Sequence, residues 1–431
     1  MRQKKIVNIR LTNNLKEKLL LWAQQFQEVV WLDSNAHCEK YGNYNAILAV
    51  DGFTAIKTDS FQAFQKLEEY QQTTKDWIFG FLTYDVKNDV EKLTSNNFDA
   101  LHFPDVFFFQ PKKLFLFSDQ KVEIHYLNLV SDEMETDWQT ILQTSVLEKK
   151  QRQQAVKIHI RTTKDSYFKK VKKLKEHIQR GDIYEANFCQ EFFSEAAPIN
   201  PLQTYHHLNA ISQPPFAAFF KNNKHFAMCA SPERYLKKEE TKIVSQPIKG
   251  TAKRSDSVKE DSAIKIHLKE DPKERSENIM IVDLVRNDLS RFALKDSVRV
   301  EELCAVYSFK QVHQLISTVS CKVALTESPV QVLRNTFPMG SMTGAPKISA
   351  MQIIEALEDA KRGLYSGTIG YFTPTGDFDF NVVIRTILYN QATKYLSFSV
   401  GGAITAASVI ENEYQECLLK AKAMREVLEG S

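Results

Sequence analysis

The chain has 431 residues, of which 43% are hydrophobic and 25% charged, a composition typical of a folded protein rather than a disordered one. Its formal net charge of +3 argues against a dedicated nucleic-acid-binding protein, and no window approaches the roughly eighteen apolar residues of a membrane-spanning helix. Its six cysteines form no CxxC pair, which excludes the usual zinc spacings and suits a reducing cytoplasm. Polar residues interrupt the N-terminus, so no signal peptide is predicted and we expect a cytoplasmic protein.

The first part of the chain, residues 1–145, alternates short apolar runs with polar turns and is predicted to be β-rich. The clearest strands are predicted over 46–50, 77–82 and 106–109. The polar stretch 146–163, which contains LEKKQRQQ, is predicted to be a linker.

The second part, residues 160–431, begins with an amphipathic helix. Its N-cap is predicted at Asp165 or Ser166, and Gly181 is predicted to end it. A long helical pattern follows over 257–291, with a break expected at Pro272.

Three strands are then predicted close together, over 367–373, 379–388 and 395–405, as an antiparallel meander. A last helix is predicted to start at Ser408, where Ser408 and Glu411 have the spacing of a capping box.

Two carboxylate pairs stand out among residues that could carry chemistry. Glu274 and Glu277 are three residues apart on one predicted helix, and Glu413 and Glu416 are three apart on another, so each pair shares a helical face. Oxygen donors without nearby His or Cys favour a hard cation such as Mg²⁺. The same spacing occurs on many solvated helices, and by itself it favours that simpler interpretation.

Arg385 lies within the apolar run 382–388, which is predicted to be a buried strand. A buried guanidinium needs a carboxylate or phosphate partner, so a structural ion pair and an anionic substrate explain it equally well. Further on, the small residues at 401–403 would let a ligand approach backbone N–H groups. Lys249 stands between Ile248 and Gly250, where composition alone gives it no special status.

Several segments occur together and in order: SPERY at 231–235, QPIKGTAKR at 246–254, ERSENIMIVDLVRNDLSR at 274–291, GSMTGAPK at 340–347, SGTIGYF at 366–372, VIRT at 383–386 and EYQECLLKAKA at 413–423. Together they resemble the chorismate-utilising family, which contains anthranilate, aminodeoxychorismate, isochorismate and salicylate synthases. The likeness covers residues 160–428, and a fainter one at 31–34 and 80–85 extends to the N-terminal part of amino-transferring members. It implies an α+β fold in which two large, mostly antiparallel β-sheets pack as a sandwich with helices on the outside.

The resemblance also implies roles for particular residues. Glu277 and Glu416 match Mg²⁺-binding positions, and Glu274 and Glu413 are neighbours that act through water. The positions that match the binding site for chorismate, the implied substrate, are Arg385, Tyr365, Thr251, Ser341, Gly401, Gly402, Ala403 and Lys420.

Within the family, position 249 distinguishes the reactions. Anthranilate synthases usually carry a small residue there, whereas aminodeoxychorismate synthases resemble the PIKGT of this chain. The implied mechanism has Lys249 add to the chorismate ring while Glu233 acts as general acid for the departing C4 hydroxyl. Ammonia then enters at C4 and expels the lysine. The implied product is 4-amino-4-deoxychorismate, on the route to 4-aminobenzoate and folate; formation of anthranilate and pyruvate is the alternative.

Two positions depart from the amino-transferring pattern. Glu185 stands where those enzymes commonly have Gln, and the absence of a Lys base there counts against hydration chemistry. Gln314 replaces a histidine that is tied to pyruvate elimination, and we expect the adjacent His313 to be structural. No glutaminase nucleophile motif is recognisable in the chain, so a separate glutamine amidotransferase is expected to supply ammonia.

Overall fold

The computed structural model describes residues 1–37, 40–146 and 155–430, so the LEKKQRQQ segment of the predicted linker lies outside the described residues. Eleven α-helices occur in the described ranges: α1 (Asn13–Ala23), α2 (Ala63–Thr74), α3 (Lys87–Val90), α4 (Met134–Gln143), α5 (Lys164–Arg180), α6 (Pro201–Ser212), α7 (Val258–Glu270), α8 (Pro272–Ser290), α9 (Pro329–Thr336), α10 (Lys347–Leu357) and α11 (Ile410–Glu429).

In the described part of the chain, twenty strands join through hydrogen bonds into one continuous network, and the pairings between them are antiparallel. The strands are β1 (Arg2–Asn8), β2 (Glu28–Asp33), β3 (Ala46–Thr58), β4 (Ile78–Leu82), β5 (Val106–Ser118), β6 (Lys121–Leu127), β7 (His159–Ile160), β8 (Glu185–Ser194), β9 (Phe216–Asn222), β10 (His225–Ser231), β11 (Arg234–Glu239), β12 (Lys242–Gln246), β13 (Ile248–Lys253), β14 (Arg299–Ser308), β15 (Val312–Lys322), β16 (Gly344–Ala345), β17 (Thr368–Phe372), β18 (Phe378–Asn381), β19 (Thr386–Asn390) and β20 (Tyr395–Ile404).

Two large hydrophobic clusters hold the helices against these strands. One packs α1, α4, α5, α6, α10 and α11, and the other packs α2, α8 and α9. The α+β class with antiparallel strands and helices packed around them is confirmed. Strands from both predicted regions share the network, because β2 pairs with β9 and β4 pairs with β17. No helix in the described ranges combines the length and hydropathy needed to cross a bilayer.

Helix α5 shows how local chemistry sets an element's ends. The hydroxyl of Thr163, whose backbone is extended, accepts a hydrogen bond from the Ser166 N–H, so Thr163 is the N-cap and the prediction of Asp165 or Ser166 was wrong. Gly181 ends the helix as predicted, with a left-handed φ of 84° that glycine adopts without strain.

The prediction of a single strand over 379–388 was wrong in the middle, because β18 ends at Asn381 and β19 begins at Thr386. Between them the backbone N–H of Val382 donates to Glu233 O and that of Val383 donates to Gly367 O. The chain changes neighbours here, since β18 pairs with β11 whereas β19 pairs with β10, so the three strands do not form a simple meander.

The capping box predicted at Ser408 and Glu411 is also wrong. The Ser408 hydroxyl accepts a hydrogen bond from the Thr405 N–H, which turns it away from the helix, and α11 begins at Ile410 without a side-chain cap. The break at Pro272 is confirmed, because α7 ends at Glu270 and α8 starts at Pro272. Helix α8 packs on β13 and α11 packs on β20, and this arrangement places both carboxylate pairs beside the strands that carry Lys249 and the 401–403 segment.

Candidate active site

A cavity of about 590 Å³ lies between these elements. It brings together all the residues that were predicted as site residues, although they come from segments far apart in the chain. They are Glu233, Lys249, Thr251, Glu274, Glu277, Ser341, Tyr365, Arg385, Gly401, Gly402, Ala403, Glu413, Glu416 and Lys420. Their common location is an observation, whereas the individual roles assigned to them stay predictions.

Lys249 lines the cavity beside Glu185, one of the two positions that depart from the amino-transferring pattern. Its Nζ lies 3.8 Å from Oε1 of Glu185, which is 1% exposed. The other oxygen of Glu185, Oε2, is buried without a hydrogen-bond partner among the described residues. Burial raises the pKa of the Glu185 carboxyl above its ordinary value, and the charge of Lys249 opposes that shift.

Glu233 precedes β11 and is buried. Its Oε1 accepts a hydrogen bond of 2.6 Å from the hydroxyl of Ser341, in the 3-10 turn Gly340–Met342. Burial raises the pKa of Glu233 to about 7, although the Ser341 hydroxyl and the charge of Lys249 oppose the shift. A carboxyl with such a pKa can hold a proton near neutral pH and release it, which is what a general acid requires.

The two carboxylates of α8 face the cavity and are largely desolvated. Burial raises the pKa of Glu277 to about 7, with the charges of Lys249 and Lys273 opposing the shift. Burial, and then the nearby charge of Glu416, raise the pKa of Glu274. Folding therefore places carboxylates where solvent does not stabilise their charge.

The two carboxylates of α11 are paired with lysines. Nζ of Lys420 lies 2.7 Å from Glu416 Oε1 and donates to the backbone oxygen of Gly401 at 2.8 Å. Burial alone would raise the pKa of Glu416, but Lys420 holds it below its ordinary value. Nζ of Lys273 lies 3.6 Å from Glu413 Oε1 and 3.8 Å from Glu277 Oε1, so it bridges the two helices.

The sequence prediction missed Lys273. Its position four residues before Glu277 on the same helix is the spacing of an i, i+4 ion pair and could have indicated the contact. The bridge to Glu413 could not have been found in this way, because it joins two helices that are distant in the chain.

The oxygen atoms of these carboxylates are suitable ligands for a hard cation. Oε1 of Glu277 is buried and makes no hydrogen bond within the described residues, so it has unused capacity to bind a ligand. The described residues hold no ready-made group of three or more His, Cys, Asp or Glu side chains around one point. Mg²⁺ suits such a site, because it usually takes only one or two protein carboxylates and completes its shell with water and substrate oxygens.

Arg385 also lines the cavity. The described residues provide no hydrogen bond or ion pair for its guanidinium, and burial lowers the pKa of that group. Its backbone has a φ of 51°, a left-handed conformation that costs a non-glycine residue of the order of 1 kcal/mol or more. The alternative of a structural ion pair is therefore not what these residues show, and the guanidinium is available to an anion.

The small residues at 401–403 belong to β20, which pairs with β8. A Cβ atom at Gly401 would lie only 2.4 Å from the Phe188 backbone oxygen and 2.5 Å from Cys189 Sγ, so only glycine fits there. Next to it, a Cβ at Gly402 would lie 3.5 Å from Glu413 Oε2, which shows how closely this backbone approaches the carboxylates.

The second departure from the family pattern is Gln314, which stands in place of a histidine, and the neighbouring His313 faces the other way. Gln314 lines the cavity, and its amide lies 3.5 Å from the Thr251 hydroxyl. His313 is buried on the other face of β15, where it makes hydrogen bonds of 3.0 Å to Asp261 and 2.8 Å to Ser308. Adjacent strand residues point in opposite directions, so His313 does not replace the missing histidine.

Comparisons of this sequence with a family model and with known proteins point to the same family. Residues 22–426 match the family described as chorismate binding enzyme. Aminodeoxychorismate synthase component 1 of Bacillus subtilis (strain 168) is 32% identical over 409 residues, which cover 88% of this chain and 86% of that protein. The aminodeoxychorismate synthase, chloroplastic, of Arabidopsis thaliana is 40% identical over 264 residues, 61% of this chain, and the matched part is only 28% of that longer protein.

The fold has a similar counterpart among solved structures. Anthranilate synthase component I from Streptococcus pneumoniae TIGR4 superposes with a TM-score of 0.78 at 26% identity, covering 90% of this chain and 94% of that one. The family match spans nearly the whole chain, and the Bacillus subtilis relative aligns over most of both proteins. The chain therefore belongs to the family of chorismate binding enzymes.

Proposed function

We propose that this chain is the synthase component of an aminodeoxychorismate synthase, which converts chorismate and ammonia to 4-amino-4-deoxychorismate. The observation that carries the proposal is the placement of three groups in one cavity: the amine of Lys249, the Glu233 carboxyl with a pKa of about 7, and the Arg385 guanidinium, which no described residue pairs. Relatives named aminodeoxychorismate synthase from bacteria and plants support the same activity.

Substrate binding follows from the charges of the cavity. Chorismate is a dicarboxylate, so the guanidinium of Arg385 and the backbone N–H groups around Gly402 would each hold a carboxylate. Four glutamates alone would repel a dianion. We propose that Glu277 and Glu416 hold Mg²⁺, assisted by Glu274 and Glu413; when bound, the ion would neutralise carboxylate charge and polarise the substrate oxygens it contacts.

The proposed chemistry then uses two side chains. The neutral amine of Lys249 forms a bond to the ring while the C4–O bond breaks, and Glu233 gives its proton to the departing hydroxyl, which leaves as water. Ammonia next forms a bond at C4, and the bond to Lys249 breaks to return the free amine. The enolpyruvyl group is retained throughout, and Glu233 regains a proton from solvent.

The rival within the family is formation of anthranilate, which would need elimination of pyruvate from the same substrate. Two residues of the cavity favour the proposed reaction over the rival. Lys249 supplies a nucleophile, and Gln314 occupies a wall position where an amide cannot act as the acid–base group that elimination requires.

We further propose that ammonia comes from a separate glutamine amidotransferase. The relative in Bacillus subtilis is named component 1, which supports the existence of a partner component. If the purified chain used glutamine without a partner, this part of the proposal would be wrong.

The deciding experiment is product analysis with chorismate, MgCl₂ and ammonium chloride as the amine source. We expect 4-amino-4-deoxychorismate, identified by chromatography and mass spectrometry, and no pyruvate. Equal amounts of anthranilate and pyruvate would establish the rival reaction instead. No consumption of chorismate with or without Mg²⁺ would rule out both.

A further inference from the structure

The strand that carries Lys249 is irregular at that residue. In the pairing of β13 with β15, Ile248 lies opposite Ile316, yet Thr251 lies opposite Gln314. Lys249 and Gly250 therefore share Leu315 as their only opposite residue, which is the two-to-one arrangement of a β-bulge. Bulges bend a strand and change the direction of a side chain, and here the affected side chain is the amine in the cavity.

Two of the carbonyl groups at this bulge receive hydrogen bonds from the same side chain. Nδ2 of Asn278 donates to the Lys249 backbone oxygen at 3.3 Å and to the Leu315 backbone oxygen at 3.2 Å. An amide NH₂ group carries two donors, so it can serve both carbonyls at once. The irregular point of the ladder is thus closed by a side chain from α8 rather than by the neighbouring strand.

Asn278 is itself held firmly. It is 1% exposed, and its Oδ1 accepts a hydrogen bond from the Ser317 hydroxyl. That hydroxyl in turn accepts from the Cys304 N–H at 2.9 Å. These contacts fix which end of the amide faces the bulge, because the oxygen end is already occupied by a donor.

The position of Asn278 in the helix adds a second consequence. It directly follows Glu277 on α8, so one buried amide connects the helix that carries the carboxylates to the strand that carries the amine. The two groups would lose their relative placement if that connection were removed.

We propose that Asn278 is a positioning residue that locks the bulge and so aims Lys249 into the cavity beside the carboxylates of α8. This inference rests on the proposed function, because it gives Asn278 its importance through the reaction of Lys249. Asn278 does not touch the substrate and acts through the backbone of another residue.

The test compares Asn278→Ala with Ser317→Ala as a matched control. The control removes a buried hydroxyl from the same network but leaves both donations to the bulge, because the two carbonyl acceptors and the Cys304 thiol, 3.6 Å from Asn278 Oδ1, still orient the amide. We expect Asn278→Ala to lower kcat about 10²-fold, as displacement of a reacting group does. Its KM for chorismate should stay within about two-fold of the wild-type value, because the binding groups are untouched. Ser317→Ala should lose thermal stability and keep its kcat.

Crystal structures of both variants provide a readout that does not depend on activity. In Asn278→Ala we expect the Lys249 amine to leave its contact with Glu185, which is 3.8 Å in the wild-type protein, and in Ser317→Ala we expect it to stay. If Asn278→Ala does not fold, Asn278→Asp preserves the volume and, when ionised, cannot donate; the same loss of kcat is expected.

An unchanged kcat in Asn278→Ala, or parallel losses of kcat and stability in both variants, would overturn the proposal, and so would an unmoved Lys249. If the wild-type enzyme forms no aminodeoxychorismate, the proposed function fails, and the crystallographic comparison still decides whether Asn278 positions the lysine.

Discussion

The amine of Lys249 lies 3.8 Å from the carboxylate of Glu185, a residue that is almost fully buried and retains one oxygen without a hydrogen-bond partner among the described residues. Glu185 begins β8 and Lys249 belongs to β13, so the contact joins the proposed nucleophile to a second strand. Burial raises the pKa of Glu185, so the pair places a carboxyl that is costly to ionise beside that nucleophile.

Replacing Lys249 itself is the most direct test of the covalent mechanism. We expect Lys249→Ala to lower formation of 4-amino-4-deoxychorismate by more than about 10³-fold, because the variant has no amine to form the adduct. Lys253→Ala is a suitable control, since Lys253 belongs to the same strand and also lines the cavity. Product formation measured by mass spectrometry at the wild-type rate in Lys249→Ala would exclude the lysine adduct.

Glu185→Gln tests the influence of the buried carboxylate. Burial raises the pKa of Glu185, so its ionised form costs the folded protein stability as the pH rises above the ordinary value of about 4.3. Gln has no charge to bury, so we expect the variant to have a higher Tm than the wild-type protein, by more above pH 7 than near pH 5, with the same product. A lower Tm above pH 7 would show that the ion pair with Lys249 outweighs the cost of burying the carboxylate.

The raised pKa of Glu233 predicts how kcat/KM falls on the alkaline side of its pH profile. A group with a pKa of about 7 is protonated below that pH and loses its proton as the pH rises through it. Since the proposed role needs the protonated form, kcat/KM should fall above about pH 7. Glu233→Gln should remove this limb and lower kcat about 10²- to 10⁴-fold, the usual contribution of a general acid. Retention of the limb in that variant would assign it to another group.

Mg²⁺ should stabilise the protein, and more so at higher pH. Burial raises the folded-state pKa of Glu277 to about 7, so the folded metal-free protein keeps a proton that the unfolded chain releases above an ordinary pKa of about 4.3. Stability therefore falls as the pH rises from that value through about 7. A cation that binds the deprotonated carboxylates offsets the loss, by about 2.7 kcal/mol at one hundred times its Kd.

Thermal unfolding with MgCl₂ or EDTA, below and above pH 7, checks this expectation. The increase in Tm with Mg²⁺ should be larger above pH 7 and should shrink in Glu277→Gln. Glu91→Gln serves as the control, because this glutamate does not line the cavity. An equal increase in both variants would indicate binding elsewhere.

Arg385 should contribute to substrate affinity. A hydrogen bond to a charged group contributes about 1.5 to 3 kcal/mol, so Arg385→Ala should raise KM for chorismate about 10- to 100-fold. Alanine keeps the Cβ at a φ of 51°, so the backbone cost is unchanged, and since no described residue pairs with the guanidinium we expect no loss of thermal stability. An unchanged KM, measured in initial-rate assays, would show that another group binds the carboxylates.

Much of the fold could be predicted because apolar periodicity and capping chemistry are local. The clear strands of residues 1–145, the break at Pro272 and the end of α5 at Gly181 were all predicted in this way. The interruption of the strand predicted over 379–388 could not be predicted, because it depends on hydrogen bonds to Glu233 and Gly367 from other segments.

The sequence by itself determined the family motifs and the residue types available for chemistry, including the lysine at 249 and the two Glu-x-x-Glu pairs. Only the tertiary structure decided that Glu185 contacts Lys249, that no described residue pairs with the Arg385 guanidinium and that Asn278 closes the bulge. The physical reason is that periodicity reports the faces of single elements. A contact across the cavity depends on how those elements pack, and no local pattern encodes that distance.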